Sequence, residues 1–278
     1  MRRIALPREG VPTGRVNAYL HDPPERAQTL LVDPGVAVPA LFNILDSVDV
    51  SHVAVTHTHP DHARALARVA AKTDASVCAA AGHEERFRTA TSLDPDQTLA
   101  DGDQVAGAAV LTTPGHAPDH LAFLTDDGAA CGDLVIASGS ISVAAPDGDV
   151  RTYLRSLRRL RARDPGRLLP GHGPAVDDPR ATIDRLYGHR RDREQRILAA
   201  VREGAADPDV AVDRAYDADL GNLRAQARAT VVAHLEKLDA EGRVRGGPGT
   251  ETVRAACTRF CRFPPETSCG GTGGRPCS

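Results

Sequence analysis

Aromatic side chains are scarce in this chain. Phe, Trp and Tyr together make up 3%, Trp is absent and there is a single Met. A surface that stacks bases on rings, as an RNA-reading sheet does, has little to build with. The core must instead be Leu, Val, Ala and Ile. An excess of one charge sign is also missing. Over 278 residues, 34 Lys+Arg stand against 37 Asp+Glu, a net of −3. That balance gives no general argument for a nucleic-acid or membrane-surface partner. No run approaches the roughly 20 apolar residues of a membrane span. The opening MRRIALPREG offers four apolar-leaning positions before Arg8 and Glu9, short of the roughly 7–15 of a secretory leader, so a cytoplasmic location is expected. Only Cys78 and Cys131 fall in the first 250 residues, which excludes a disulfide framework there. The other four, Cys257, Cys261, Cys269 and Cys277, crowd a Gly- and Pro-rich end with no CxxC pair. Residues 249–278 are expected to form a disordered tail outside the mechanism.

What is present reads as globular, with 41% hydrophobic and 26% charged residues. Short β-like runs at 16–20, 29–33, 52–56, 108–113, 120–125, 129–133 and 168–170 alternate with helix-like stretches at 39–45, 61–71, 82–89 and 153–163. This interleaving predicts an α/β layered fold. Many of the runs end in turn signals (DPG, THTHPDH, TPGH, GD, PGHG), which places functional groups on loops at one sheet edge. From about Asp184 the pattern changes to a charged amphipathic helix, a short run at 210–216 and a second long helix at 223–241. The last carries Val231, Leu235 and Leu238 on one face and stops at Gly242, followed by a small β-like arm. That order is winged-helix-like. The expected organisation is a domain at 1–184, a winged-helix-like domain at 185–248, and the tail.

Against the missing rings stand 11 His. Four site candidates lie within THTHPDH: His57, His59, Asp61 and His62. His57 and His59 are two apart, so in extended backbone they point to one side. Pro60 stops the strand and suits a first helical turn, from which Asp61 and His62 project in another direction. One short turn thus offers three imidazoles and a carboxylate to a centre larger than one ion. Imidazole and carboxylate suit zinc, iron or manganese. His116 after TTPG, Asp133 ending AACGD and His172 in LPGHGP each follow an apolar run beside Gly, where backbone can approach an ion closely.

HTHPDH (57–62), PGHAPDH (114–120), CGDLV (131–135) and LPGHGP (169–174) resemble, in motif and in order, the metallo-β-lactamase-fold hydrolase superfamily. The resemblance covers about residues 10–180. It implies an αββα sandwich with two divalent metal ions, zinc first, at one edge. By position, His57, His59 and His116 would hold one ion, Asp61, His62 and His172 the other, and Asp133 would bridge. Further on, YLRSLRRL (153–160), HRRDREQRIL (189–198) and AHLEKLDAEGRV (233–244) resemble the β-lactamase-like protein 2 type, which adds a winged-helix-like domain. Asp61 is then expected to relay a proton beside the metal-activated water, and Asp33 in LLVDPG to orient a ligand loop. His189, at the domain junction, is a candidate for the substrate cleft. Cys131 is read as a small buried hydrophobe, and His21, His52, His83, His120 and His234 as structural or exposed.

Three functions remain open. The first is hydrolysis of a small-molecule thioester or ester, as in glyoxalase II and the superfamily's thioesterases. The others are a single-strand-directed endoribonuclease and a non-heme iron oxygenase of the persulfide dioxygenase kind. Residues 188–250 hold 11 Arg+Lys and 11 Asp+Glu, and Tyr216 is their only aromatic. A strand-tracking nuclease wants a basic groove with rings, so nucleic acid is not favoured. The second domain is expected to cap the cleft or to mediate a homodimer. Keeping all seven ligands favours a binuclear hydrolase over an oxygenase, which uses a 2-His-1-carboxylate face.

Overall fold

The computed structural model describes residues 1–11, 13–23, 28–217, 219–245 and 253–256. One sheet holds six strands side by side in chain order: β1 (Arg2–Pro7), β2 (Arg15–His21), β3 (Leu30–Val32), β4 (His52–Ala54), β5 (Ser76–Ala80) and β6 (Gln97–Leu99). β1 to β3 pair antiparallel and β3 to β6 parallel. Parallel neighbours need crossovers. These are α1 (Pro39–Leu45), then α2 (Pro60–Ala63) with α3 (Leu66–Thr73), then α4 (Glu84–Thr91). The second sheet runs β7 (Gln104–Val105), β8 (Ala108–Thr112), β9 (Leu121–Thr125) and β10 (Gly128–Gly132) as an antiparallel meander. After α5 (Val150–Arg163), β11 (Leu168–Pro170) returns parallel to β10.

Side-chain alternation builds the layers. In β3, Leu31 packs outward with Leu41, Leu66 and Phe87 from the helices, while Leu30 and Val32 face the other sheet. In β10, Ala129 and Cys131 face α5, and Ala130 faces Phe123 and Leu169 between the sheets. Helix, sheet, sheet and helix are therefore stacked as expected. The outer helix α5 buries Leu154, Leu157 and Leu160 and sends its Arg residues outward. It is capped by Asp149, which accepts from Thr152 N at 2.9 Å.

The chain continues through α6 (Pro179–Arg202), α7 (Pro208–Ala215) and α8 (Arg224–Ala240) to the antiparallel pair β12 (Val244–Arg245) and β13 (Arg254–Ala255). Gly242, at φ 67°, turns the chain out of α8. Asp178 caps α6 and Asp207 caps α7, each ahead of a Pro at the first turn. Val201, Val212, Val231 and Leu238 form the core of this winged-helix-like unit.

Four expectations change. The tail expected to be disordered from 249 places Val253 in the C-terminal core and Arg254–Ala255 in β13, because β12 pairs with it. The domain division near residue 184 falls inside α6, a continuous helix of 24 residues. Its Ile183 and Leu186 pack in the α5 layer, and its Ile197 and Val201 in the C-terminal core. The apolar stripe simply passes from one core to the next. The helix expected at 61–71 is instead two helices, α2 ending at Ala63 and α3 beginning at Leu66. β1, β5, β6 and β7 add to the strands expected from the sequence. Residues 246–252 and 257–278, with the four clustered Cys and nearly all of the expected disordered tail, lie outside the described residues. Among the described residues no helix is long and apolar enough to cross a membrane.

Candidate metal centre

Four strand ends meet at one edge of the sandwich. β4 leads into 55–62, β8 into 113–120, β10 into Asp133 and β11 into 171–173. Leu121 N donates to Thr56 O at 2.7 Å, and Gly171 N to Gly132 O at 2.9 Å, tying the ends together. A Cβ on Gly171 would stand 2.5 Å from His62 Cε1 and 2.6 Å from Asp133 Oδ1. Backbone therefore walls the site, and only glycine leaves room.

The seven expected ligands come together there as three overlapping triads. His57, His59 and His116 form one, Asp61, His62 and His172 another, and His57, His62 and Asp133 the third. Within each, the donor atoms lie within 4.8 Å of one another. Asp133 stands between the first two. Its Oδ2 is 3.8 Å from His116 Nε2 and 3.6 Å from His172 Nε2, and its Oδ1 is 3.6 Å from His62 Nε2.

Contacts outside the cluster fix which ring nitrogen faces in. His116 Nδ1 donates to Ser142 O at 2.7 Å and His172 Nδ1 to Arg15 O at 3.0 Å. Asp33 serves two rings. Its Oδ2 accepts from His62 Nδ1 at 2.9 Å and from the Thr56 hydroxyl at 2.8 Å, and that hydroxyl lies 3.1 Å from His57 Nδ1. Each of these four rings therefore turns Nε2 inward. His59 is reversed: its Nε2 faces Asp147 at 3.5 Å and its Nδ1 points in.

A divalent cation fits what results. His57 Nε2 and His116 Nε2 each lie 2.9 Å from His59 Nδ1, so bare nitrogens face one another. His62 Nε2 and Asp133 Oδ1 are buried with no hydrogen-bond partner. Burial depresses the basicity of His57, with His62 and His116 adding to it. Burial works the same way on His62, but the Asp33 and Asp133 carboxylates outweigh it and raise the ring to about 9. For Asp61, burial would raise the carboxyl, yet the His172 hydrogen bond and the charges of His62 and His172 hold it well below the usual range. The set is borderline nitrogen and hard oxygen, the donor chemistry of zinc, iron or manganese.

Residues 11–172, more than half the chain, match the metallo-beta-lactamase superfamily. The chain belongs to this superfamily. Residues 211–249 match the beta-lactamase associated winged helix domain. A hydroxyacylglutathione hydrolase of Methylococcus capsulatus is 34% identical over 202 residues, covering 68% of this chain and 75% of the relative. A beta-lactamase-like protein 2 homolog of Caenorhabditis elegans is 26% identical over 242 residues, covering 82% and 80%. A crystal structure of a metallo-beta-lactamase family protein from Thermus thermophilus superposes with a TM-score of 0.74 at 25% identity, over 91% of this chain and 98% of that one. The protein is thus a metallo-beta-lactamase-fold, metal-dependent hydrolase with an appended winged helix.

Around the triads of this metallo-beta-lactamase fold lie groups that sequence reading missed. Arg86 on α4 bridges two acids. Its Nε is 2.9 Å from Thr58 Oγ1 and 3.2 Å from Asp119 Oδ1, and its terminal nitrogens hold Asp147 at 3.1 and 2.6 Å. Asp119 in turn accepts from Thr58 N at 3.0 Å. The chain Asp119, Arg86, Asp147 therefore ends on His59. Asp119 was visible as the Asp of PGHAPDH, whereas Arg86 and Asp147 carried no local signal. His120 is buried, bonded to Thr113 Oγ1 at 2.8 Å, and stacks behind His57 with centroids 5.2 Å apart. Cys131 is buried and its thiol is pushed up by burial, so it is no nucleophile.

A cleft of about 680 Å³ opens over the site. His59, Asp61, His116, Asp133 and His172 line it, together with His189 and residues of the winged helix. The cleft is of small-molecule size.

Proposed function

We propose that this chain is a binuclear, zinc-loaded hydrolase of small-molecule thioesters. The observation that carries it is Asp133, set between two complete triads with one oxygen toward His62 and the other toward His116 and His172. The likeness to a hydroxyacylglutathione hydrolase supports the thioester. The charge parity of residues 188–250 gives a nucleic-acid strand no net attraction to this region. The free, buried Cys78 and Cys131 suit a reducing, cytoplasmic setting.

Divalent ions held by the two triads would polarise a carbonyl and acidify water to a pKa near ~7. The residues do the rest. Asp61 is ionised and reaches the cleft, so it accepts a hydrogen bond from the attacking water. Its oxygen carries the released proton briefly to the departing sulfur as the C–O bond forms and the C–S bond breaks. Asp33 keeps His57 and His62 in one tautomer throughout, so no ring must reorient.

Metal analysis of the purified protein, joined to a panel of a glutathione thioester, an acyl-CoA, a single-stranded RNA and a cephalosporin, tests the proposal. Two ions per chain and thioester turnover are expected. Rapid RNA cleavage without thioester turnover overturns it, as does one iron with thiol-dependent oxygen uptake. Asp133→Ala is expected to lose metal and activity together. Two retained ions with full turnover in that variant would remove the bridging role.

A further inference from the structure

The C-terminal helices line the same cleft as the triads, and their charges are unevenly matched. On α6, Arg180 meets Asp164 at 2.9 Å, Arg191 meets Glu194 at 3.2 Å and Arg196 meets Asp217 at 2.7 Å. Arg185 docks on carbonyls and is exposed, so water screens it. Arg190 and Arg193 differ. Both line the cleft, both are at least partly buried, and neither meets an acidic side chain among the described residues. Arg190 donates to the Ile141 carbonyl. Arg193 donates to Ala215 O at 2.6 Å and lies over the Tyr216 ring, its Cζ 3.6 Å from the centroid.

Beside them, His189 Nδ1 is buried without a hydrogen-bond partner. Cations withdrawn from water with only carbonyls and a ring around them lack a counter-charge. The ring holds the Arg193 guanidinium in place through its π face, leaving its planar fork as an anion receptor. Leu220 and Leu223 line the same cleft, and Leu223 is 54% exposed.

We propose that Arg193, seated on Tyr216 and backed by Arg190, is a specificity-determining residue. It binds a negatively charged group, carboxylate or phosphate, at the end of the substrate remote from the scissile carbonyl. This deepens the thioester reading and rests on it for the identity of the reacting bond. The winged helix then serves as the anion-reading wall of the active site.

Non-hydrolysable thioethers test this apart from turnover. Four are compared by calorimetry on the metal-loaded protein: S-alkyl glutathione, S-alkyl coenzyme A, neutral S-alkyl N-acetylcysteamine, and the same neutral thiol with a terminal carboxylate on the alkyl side. At least one anionic ligand is expected to bind tenfold or more tightly than the neutral one. Which of the three does so names the source of the charge. In Arg193→Gln the ratio is expected to fall below threefold, while Arg196→Gln keeps it. Equal binding of neutral and anionic ligands, or a ratio that survives Arg193→Gln, overturns the proposal. A ratio that behaves as expected in a protein that hydrolyses no thioester leaves the subsite standing and removes the reaction.

Discussion

Arg86 sits on the surface side of the site and touches none of the three triads, yet its guanidinium closes a loop around His59. It pins Asp147 against His59 Nε2 and Asp119 against the backbone of Thr58. Outer partners of this kind orient a ligand ring and raise its basicity. Arg86→Gln is therefore expected to weaken metal binding by about tenfold or more, read by chelator competition, with little change in unfolding midpoint. Arg86→Lys is expected to rescue little, since an ammonium cannot fork across Asp147. The candidate ligands were legible in the sequence because they are local: HTHPDH sets four of them in six residues beside a strand. Arg86 and Asp147 were not, being 61 residues apart and ordinary surface residue types in their own neighbourhoods. Asp33 was read from its turn, but the Thr56 hydroxyl through which it reaches His57 was not.

At the level of elements, α6 carries the strongest constraint. Glu194 is fully buried in its C-terminal half, with Lys237 of α8 at 2.5 Å and Arg243 at 2.8 Å. Removing one partner of a buried charge cluster leaves the others uncompensated. Glu194→Ala is expected to destabilise the protein by about 3 kcal/mol or more, measured by urea unfolding, while Arg196→Ala, an exposed pair with Asp217, costs under about 1 kcal/mol. The long helices were readable from their period, and α5 and α8 sit close to where the sequence puts them. Short edge strands were not. β6 and β7 are three and two residues long, with mostly exposed side chains, and exist because a neighbouring strand pairs with them. The division at 184 failed for a related reason. A change in composition marks where one core hands a helix to another, not where the helix ends.

On the scale of the whole molecule, burial disfavours the charged form of one histidine in the sandwich and one in the C-terminal unit. Burial depresses His120 behind the metal centre and His234 in α8, where Arg190, Lys237, Arg193 and His189 add to the effect. A folded pKa below the ordinary 6.5 means that the unfolded chain binds protons that the native one refuses. The stability is whole above 6.5 and declines as pH falls toward the depressed folded values, by up to about 1.4 kcal/mol per pH unit for each group. Unfolding free energy is expected to drop between pH 7 and 5, and His234→Leu to flatten that slope. Both ring nitrogens of His234 are buried without partners, so an apolar replacement loses no hydrogen bond.

The same continuous α6 has a consequence for recognition. Two modules joined by a flexible linker would meet the substrate as separate searchers, and each binding event would have to order them. Here the wall bearing His189 and Arg193 hangs from the helix whose first turns are packed into the catalytic layer. A helix rather than a flexible linker therefore joins that wall to the layer that carries the triads. On the proposed reading, a ligand long enough to reach both Asp133 and Arg193 is expected to bind more tightly than a shorter one.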